Sequence, residues 1–587
     1  MYTKLALMLL QVAFDSSTVS IPMRDGVHLH TRVFVPAQQT AALPIILFRT
    51  PYGIDQAQFM FQNYLKELAD EGYIFVFQDI RGRFTSEGQF VMLRPQRDKN
   101  DPKAIDEGSD TYDTIDWLLK NVKNNNGRVG MLGISYPGWL TVMAMLDPHP
   151  ALKAVSPQAS PADMFIGDDF HHGGAFRLSY GFEYAEAMET DKTVKPFEFD
   201  RYDTYDWYLK LGALSNIHAT LPSWVNFATH PNYDAFWQRQ AAVPYMNKVT
   251  IPTLNVAGWW DQEDFYGPIT IYEALEKHDT KHLNYLVVGP WNHGGWGFGD
   301  GAKLGPIDFG GPTALYFREH VQAPFFAHFL KDKGEFNEPK VLVFEAGANA
   351  WKSYDQWPAA NTVGKRLYLH GNGKLAFAPS ADSGFSEYVS DPAHPVPYRH
   401  RPIPSTFTAH SNWPEWLSED QRVADGRADV LTFETEPLAA DMTVSGAIAA
   451  HLFASTSGTD SDWIVKLIDV YPEKYDADPK MGGYEFMVAN DVLRGRFRKG
   501  YATPVAAVPN HVDEYTVDMH TQCYRFLKGH RIMVQVQSTW FPLIDRNPQK
   551  FVPNIFAATD ADFQVARQRV SRSSYLDFPV DTSRVVQ

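Results

Sequence analysis

Between residues 44 and 288 the chain alternates short apolar runs with amphipathic stretches, and few folds are open to such a pattern. Apolar runs stand at 44–48, 73–78, 129–132, 253–257 and 284–288. They are too short for core helices and lack polar alternation, as expected of strands buried on both faces. Helical patterns lie between them at 56–69, 113–122 and 136–145. Strand, helix and strand in repetition give a mainly parallel sheet with helices on both faces, an α/β fold. A hairpin over 19–36, turning at Arg24-Asp25-Gly26, opens the sheet.

The alternation stops twice. From 161 to 248 the chain is aromatic-rich and helical in pattern, for example at 182–190 and 202–214, which predicts a cap inserted between a first sheet segment (15–160) and a second (249–335). Beyond 340, short β-type runs separated by Gly, Pro, Asp and Asn recur at 428–434, 442–455, 463–471 and 531–538. Regularly spaced strands of this kind predict an all-β sandwich of jelly-roll type over 340–587. A length of 587 residues suits three such domains.

The formal charge of −16, from 53 basic and 69 acidic residues without a long basic run, excludes the footprint of a nucleic-acid binder and suits a neutral or cationic partner. One cysteine, Cys523, excludes internal disulfides and multi-cysteine metal sites. No run reaches the roughly 18 apolar residues of a membrane span. Residues 5–10, after Lys4, have the character of a secretory apolar segment but no clear small-x-small cleavage site follows, so the residues leave export open.

Gly133-Ile134-Ser135-Tyr136-Pro137-Gly138 falls between an apolar strand and a helix. Such a turn strains the serine backbone and lifts the hydroxyl above the strand end; a purely structural turn serine is the other reading. A serine hydroxyl needs a base, and the base an orienting carboxylate, in the chain order Ser, Asp, His. Asp261 follows the run at 253–257, and His293 follows that at 284–288 amid glycines. Asp264 is a rival for the acid. The Tyr136 backbone N–H supplies one oxyanion donor, and Tyr52, after the first buried run, is a candidate for the second.

These residues, with Pro22-Met23-Arg24-Asp25-Gly26, Asp79-Ile80-Arg81-Gly82 and the β-rich C-terminal third, resemble the X-Pro dipeptidyl-peptidase and cocaine-esterase superfamily of α/β-hydrolases. Within it, Trp260-Asp261-Gln262-Glu263-Asp264 and Gly167-Asp168-Asp169-Phe170-His171 look like the α-amino acid ester hydrolases, which acylate and hydrolyse β-lactam antibiotics. The resemblance implies a triad of Ser135, Asp261 and His293, an oxyanion hole from Tyr52 and Tyr136, and an ammonium site from Asp169, Glu263 and Asp264, with Asp168 competing for the place of Asp169. It implies no cofactor, a small α-amino ester or amide as partner, a homo-oligomer, and a periplasmic or secreted site; otherwise the protein is cytoplasmic. Crowded carboxylates need a cation or proton among them, and an α-ammonium supplies one. A metal held by Asp168, Asp169, His171 and His172 is the competing explanation. A plain carboxylesterase, an X-Pro dipeptidyl aminopeptidase and an inactive carbohydrate-binding protein are the remaining alternatives.

Overall fold

The computed structural model describes residues 13–101, 103–408 and 411–581; the apolar stretch at 5–10 lies outside them. Ten strands form the main sheet: β1 (Phe14–Pro22), β2 (His28–Pro36), β3 (Leu43–Thr50), β4 (Ile74–Asp79), β5 (Asn125–Ile134), β6 (Leu152–Gln158), β7 (Thr253–Gly258), β8 (Asn284–Gly289), β9 (Val341–Glu345) and β10 (Ala350–Tyr354). Their spatial order is β1-β2-β4-β3-β5-β6-β7-β8-β9-β10, parallel from β4 through β9 with an antiparallel strand pair at each end.

Period-two alternation divides the central strands between two cores. Ile45 and Leu47 pack on one side of β3, Ile46 and Phe48 on the other; Ile74 and Val76 oppose Phe75 and Phe77 in β4 in the same way. Both faces are therefore apolar, which is why the sequence shows runs rather than alternation. The sheet extends past the expected end near residue 335, because β9 and β10 join it. Their pattern of short strands around a Gly turn is the same as that of the sandwich strands, so periodicity alone does not assign them to a sheet.

Helix α1 (Glu107–Asn121) precedes β5, and α2 (Tyr136–Leu146) follows it directly. Between β6 and β7 stands the helical cap, with α3 (Leu178–Glu189) and shorter helices at Thr204–Leu211, Pro222–Thr229 and Ala235–Gln240. The stretch expected as one helix at 56–69 is instead a 3₁₀ turn, Ala57–Gln62, and a short α-helix, Lys66–Glu71. Beyond β10 the chain forms a seven-stranded and a four-stranded antiparallel sheet, the first centred on Met442–Thr456, the second ordered Val430–Glu434, Arg531–Gln537, Asp462–Val470, Glu485–Arg494. No helix among the described residues is long and apolar enough to cross a membrane.

The early motifs are structural. Arg81, at the end of β4, is buried and pairs with Asp110 of α1 at 2.7 Å and with Asp25 of the opening turn at 2.7 Å. One guanidinium thus ties the turn, the strand end and the helix together. Removing one partner of a buried pair leaves the other uncompensated, at about 3–5 kcal/mol. Arg81→Met is expected to lower urea-unfolding stability by about that amount, read from tryptophan fluorescence; a loss below about 1 kcal/mol would show the network is not holding these elements.

Candidate active site

Ser135 sits at the carboxyl end of β5, where open parallel sheets place their ligands. Its backbone is at φ 68°, ψ −129°, a conformation costly for a residue with a Cβ. The surrounding glycines permit it. A Cβ on Gly133 would lie 2.5 Å from Pro137, and one on Gly138 would lie 2.4 Å from the Gln158 carbonyl oxygen, so the turn and helix can close this tightly only without side chains there. The extra residue before Gly138 leaves the packing intact. The turn is pinned further by the Ser135 N–H donating to Gln158 O at 2.9 Å.

The other two triad candidates leave the sheet from one level, because Gly258 and Gly289 are register partners in β7 and β8. Their loops are joined by N–H bonds from Trp259 to Gly289 O at 2.9 Å and from Trp260 to Trp291 O at 3.0 Å. His293 Nδ1 then lies 2.9 and 3.0 Å from the two Asp261 oxygens. Asp261 Oδ1 also accepts the N–H groups of Glu263 at 2.9 Å and Asp264 at 3.0 Å. Of the two rivals for the triad acid, Asp261 and not Asp264 meets His293 Nδ1.

Ser135, His293 and Glu263 line a cavity of about 670 Å³ with Tyr52 and Tyr184. Its inner wall, including Phe48, Ile54, Met60 and Phe77, is apolar. The Tyr52 hydroxyl lies 2.9 Å from that of Tyr184, and Tyr52 shares the cavity wall with Ser135; desolvation of this hydroxyl, and Asp169 and Glu263 nearby, keep it protonated well above the usual phenol range. The Tyr136 ring is buried, its hydroxyl accepting the Leu93 N–H at 2.9 Å. What Tyr136 offers the site is its backbone N–H, in the first helical turn where no intrahelical partner exists.

The three carboxylates behind His293 come together from two loops. Glu263 Oε1 accepts from Trp413 Nε1 at 2.7 Å and Glu263 Oε2 from the Tyr180 hydroxyl at 3.0 Å. Asp169 Oδ1 and both oxygens of Asp264 are buried without a hydrogen-bond partner. Burial first, and then Glu263, raise the pKa of Asp169; burial and Asp169 raise that of Asp264 well above the carboxylate range. The Arg177 guanidinium does not pair with these carboxylates; its donors go to the backbone carbonyls of Asp169, Gln262 and Glu263. Asp168 points elsewhere: its oxygens accept the N–H groups of Ala162, Asp163 and Gly267 at 2.7–2.9 Å. This favours Asp169 over its neighbour.

The four residues weighed as metal ligands do not converge. His171 stacks on Phe165 and meets the Met164 carbonyl at 3.2 Å, whereas His172, on the opposite side of the strand, meets Asp491 at 3.0 Å. Asp491 also takes His520 at 2.6 Å, fastening the strand after Asp169 to the C-terminal sandwich. Burial opposes a charge on His520, but its bond to Asp491 outweighs that and holds its pKa at about 9.

Residues 25–295 match the X-Pro dipeptidyl-peptidase (S15) family, and 335–572 match the X-Pro dipeptidyl-peptidase C-terminal non-catalytic domain. Cocaine esterase of Rhodococcus sp. (strain MB1 Bresler) is 30% identical over 569 residues, 91% of this chain and 92% of its own. The chain belongs to the X-Pro dipeptidyl-peptidase (S15) family. Two solved structures are closer in sequence. An aminopeptidase from a marine sediment Thaumarchaeota archaeon is 43% identical with a TM-score of 0.94, and an alpha-amino acid ester hydrolase is 42% identical with a TM-score of 0.92; each comparison covers 97% of both chains. This S15 family member is accordingly a serine hydrolase of α/β-hydrolase fold with a C-terminal β domain.

Sequence reasoning missed the residues that hold the carboxylates. Trp413 stands 150 residues from Glu263, and Arg177 and Tyr180 are lost in an aromatic-rich cap; none carries a motif. At alkaline pH, where the imidazole is neutral, a fluorophosphonate is expected to label Ser135 of the wild type, Ser135→Ala to show no labelling with its melting temperature unchanged, and His293→Ala to be labelled at least about a hundredfold more slowly. Labelling at another serine would move the nucleophile elsewhere.

Proposed function

We propose that this S15 hydrolase cleaves α-amino acid esters and amides, β-lactam antibiotics with an α-amino acyl side chain among them, through an acyl-enzyme on Ser135, and passes the acyl group to water or to an amine. In this reading His293 is the base, Asp261 orients it, and Tyr136 N–H and the Tyr52 hydroxyl take the oxyanion. Asp169, Glu263 and Asp264 select the α-ammonium. The observation that carries it is the cluster of three carboxylates beside the serine and histidine, two of them buried with unpartnered oxygens. Such a cluster is costly unless a cation meets it. A carboxylesterase has no use for it.

The names of these two similar solved structures, an aminopeptidase and an alpha-amino acid ester hydrolase, support an α-amino group on the acyl side. The first favours a second reading, in which the acyl donor is a peptide with a free amino terminus. Phenylglycine methyl ester, its des-amino analogue and an Ala-Pro anilide separate the possibilities: the first reading expects fast cleavage of the amino ester alone, the peptidase reading of the anilide as well. The homo-oligomeric assembly and the periplasmic or secreted site implied by family resemblance belong to the same proposal.

Replacing Glu263 by Gln, or Asp169 or Asp264 by Asn, keeps the volume and removes a carboxylate that can pair with the ammonium. Each lost charge-assisted hydrogen bond is expected to cost roughly 1.5–3 kcal/mol, about ten- to a hundredfold in kcat/KM for phenylglycine methyl ester, with far less loss, or a gain, for the des-amino ester. Equal losses for the two substrates would make the cluster structural and the protein an ordinary carboxylesterase.

A further inference from the structure

His293 meets a carboxylate at each ring nitrogen. Asp261 faces Nδ1, the orienting contact a triad requires. Nε2, the atom that must take the serine proton, lies 3.4 Å from Glu263 Oε2, and no hydrogen bond joins it to Ser135 among the described residues. An imidazole held between two carboxylates is stabilised as imidazolium, which carries a hydrogen on both nitrogens and cannot accept another.

The groups around the ring act in the same direction. Asp261, Glu263 and Asp264 come from the loop after β7 and Asp169 from the start of the cap, ahead of α3; Tyr180 on α3 and Tyr52 after β3 are neutral phenols. Arg177 is the nearby cation, and its donors are committed to carbonyls. Burial opposes the charge on His293, but Asp261 and then Glu263 outweigh it, leaving the pKa at about 10.

We propose that Glu263 keeps the base of the free enzyme occupied, and that the substrate ammonium, by taking over Glu263, sets His293 free to act. This rests on the ammonium reading above and adds a second duty to Glu263. The ammonium pairs with the Glu263 carboxylate, and the Nε2 proton of His293 leaves to solvent. One positive charge replaces another in the cluster. Neutral Nε2 then accepts the Ser135 hydroxyl proton as Oγ bonds to the ester carbonyl carbon, whose π pair moves onto oxygen. On collapse of that adduct the C–O bond to the alcohol breaks, His293 returns the proton to the leaving alkoxide, and acyl-Ser135 remains. An ester without the amine brings no cation to exchange, so it meets a base that already holds its proton. Discrimination then falls on kcat as well as on binding.

The test is the pH dependence of kcat, which reports the enzyme–substrate complex. In the wild type the acid limb for the des-amino ester is expected at least about one pH unit above that for phenylglycine methyl ester. In Glu263→Gln the des-amino limb is expected to move down to meet the amino-ester limb, with its kcat near pH 7 rising about tenfold or more. A measurement that avoids the variant uses Ser135→Ala and benzylamine, an amine fully protonated near neutral pH. Calorimetry in two buffers of different ionisation enthalpy is expected to show about one proton released per amine bound. Coincident limbs, or amine binding without proton release, would overturn the proposal and leave the ammonium site standing. Absence of amine binding, together with equal kcat/KM for the two esters, would remove both.

Discussion

The carboxylate of Asp261 is the contact on which the rest of the site depends. It holds His293 through Nδ1, and the same oxygen accepts the backbone N–H groups of Glu263 and Asp264. The proposed base and the proposed ammonium site are thus set by one buried side chain, and neither can shift without disturbing the other. The arrangement follows from local sequence: Asp-Gln-Glu-Asp after a strand end curls so that its first side chain caps its own turn. The glutamine of the run completes the joint, because Gln262 Oε1 accepts the His293 N–H at 3.1 Å.

That loop is rigid because three parts of the chain grip it. The Trp259 indole donates to Phe344 O of β9 at 2.7 Å, the Trp260 indole to Met487 O of the C-terminal sandwich at 2.9 Å, and Trp413, beyond the sheet domain, reaches Glu263. The β domain is therefore part of the wall that fixes the carboxylates. Arg177, spending its donors on carbonyls, fastens the Asp169 and Glu263 loops together while leaving carboxylate oxygens open.

The sheet and the inserted helices were legible in the sequence because both are written locally, the sheet as unbroken apolar runs for β3, β4, β7 and β8; the candidate triad was drawn from glycines around Ser135 and polar loops at strand ends. Asp261 and His293 could be put forward because each follows an apolar run in the order Ser, Asp, His; that their loops lie side by side is a matter of register. What stayed hidden depends on contacts distant in the chain. That β9 and β10 extend the first sheet, that Asp168 is consumed by three backbone N–H groups, and that His172 turns to Asp491 are tertiary facts. Nor does any motif show that Nε2 of His293 faces Glu263. That requires coordinates.

Electrostatically the proposed ammonium site gathers carboxylates in a protein of net charge −16; the apolar inner wall strengthens each charge contact by excluding water. The most direct measurement is a crystal structure of Ser135→Ala with phenylglycine methyl ester bound. The ammonium nitrogen is expected within about 3 Å of a Glu263 oxygen, with the ester carbonyl oxygen at the Tyr136 N–H. An ester lodged with its ammonium turned to solvent, and the carboxylates left unmet, would contradict the assignment of this cluster to substrate selection.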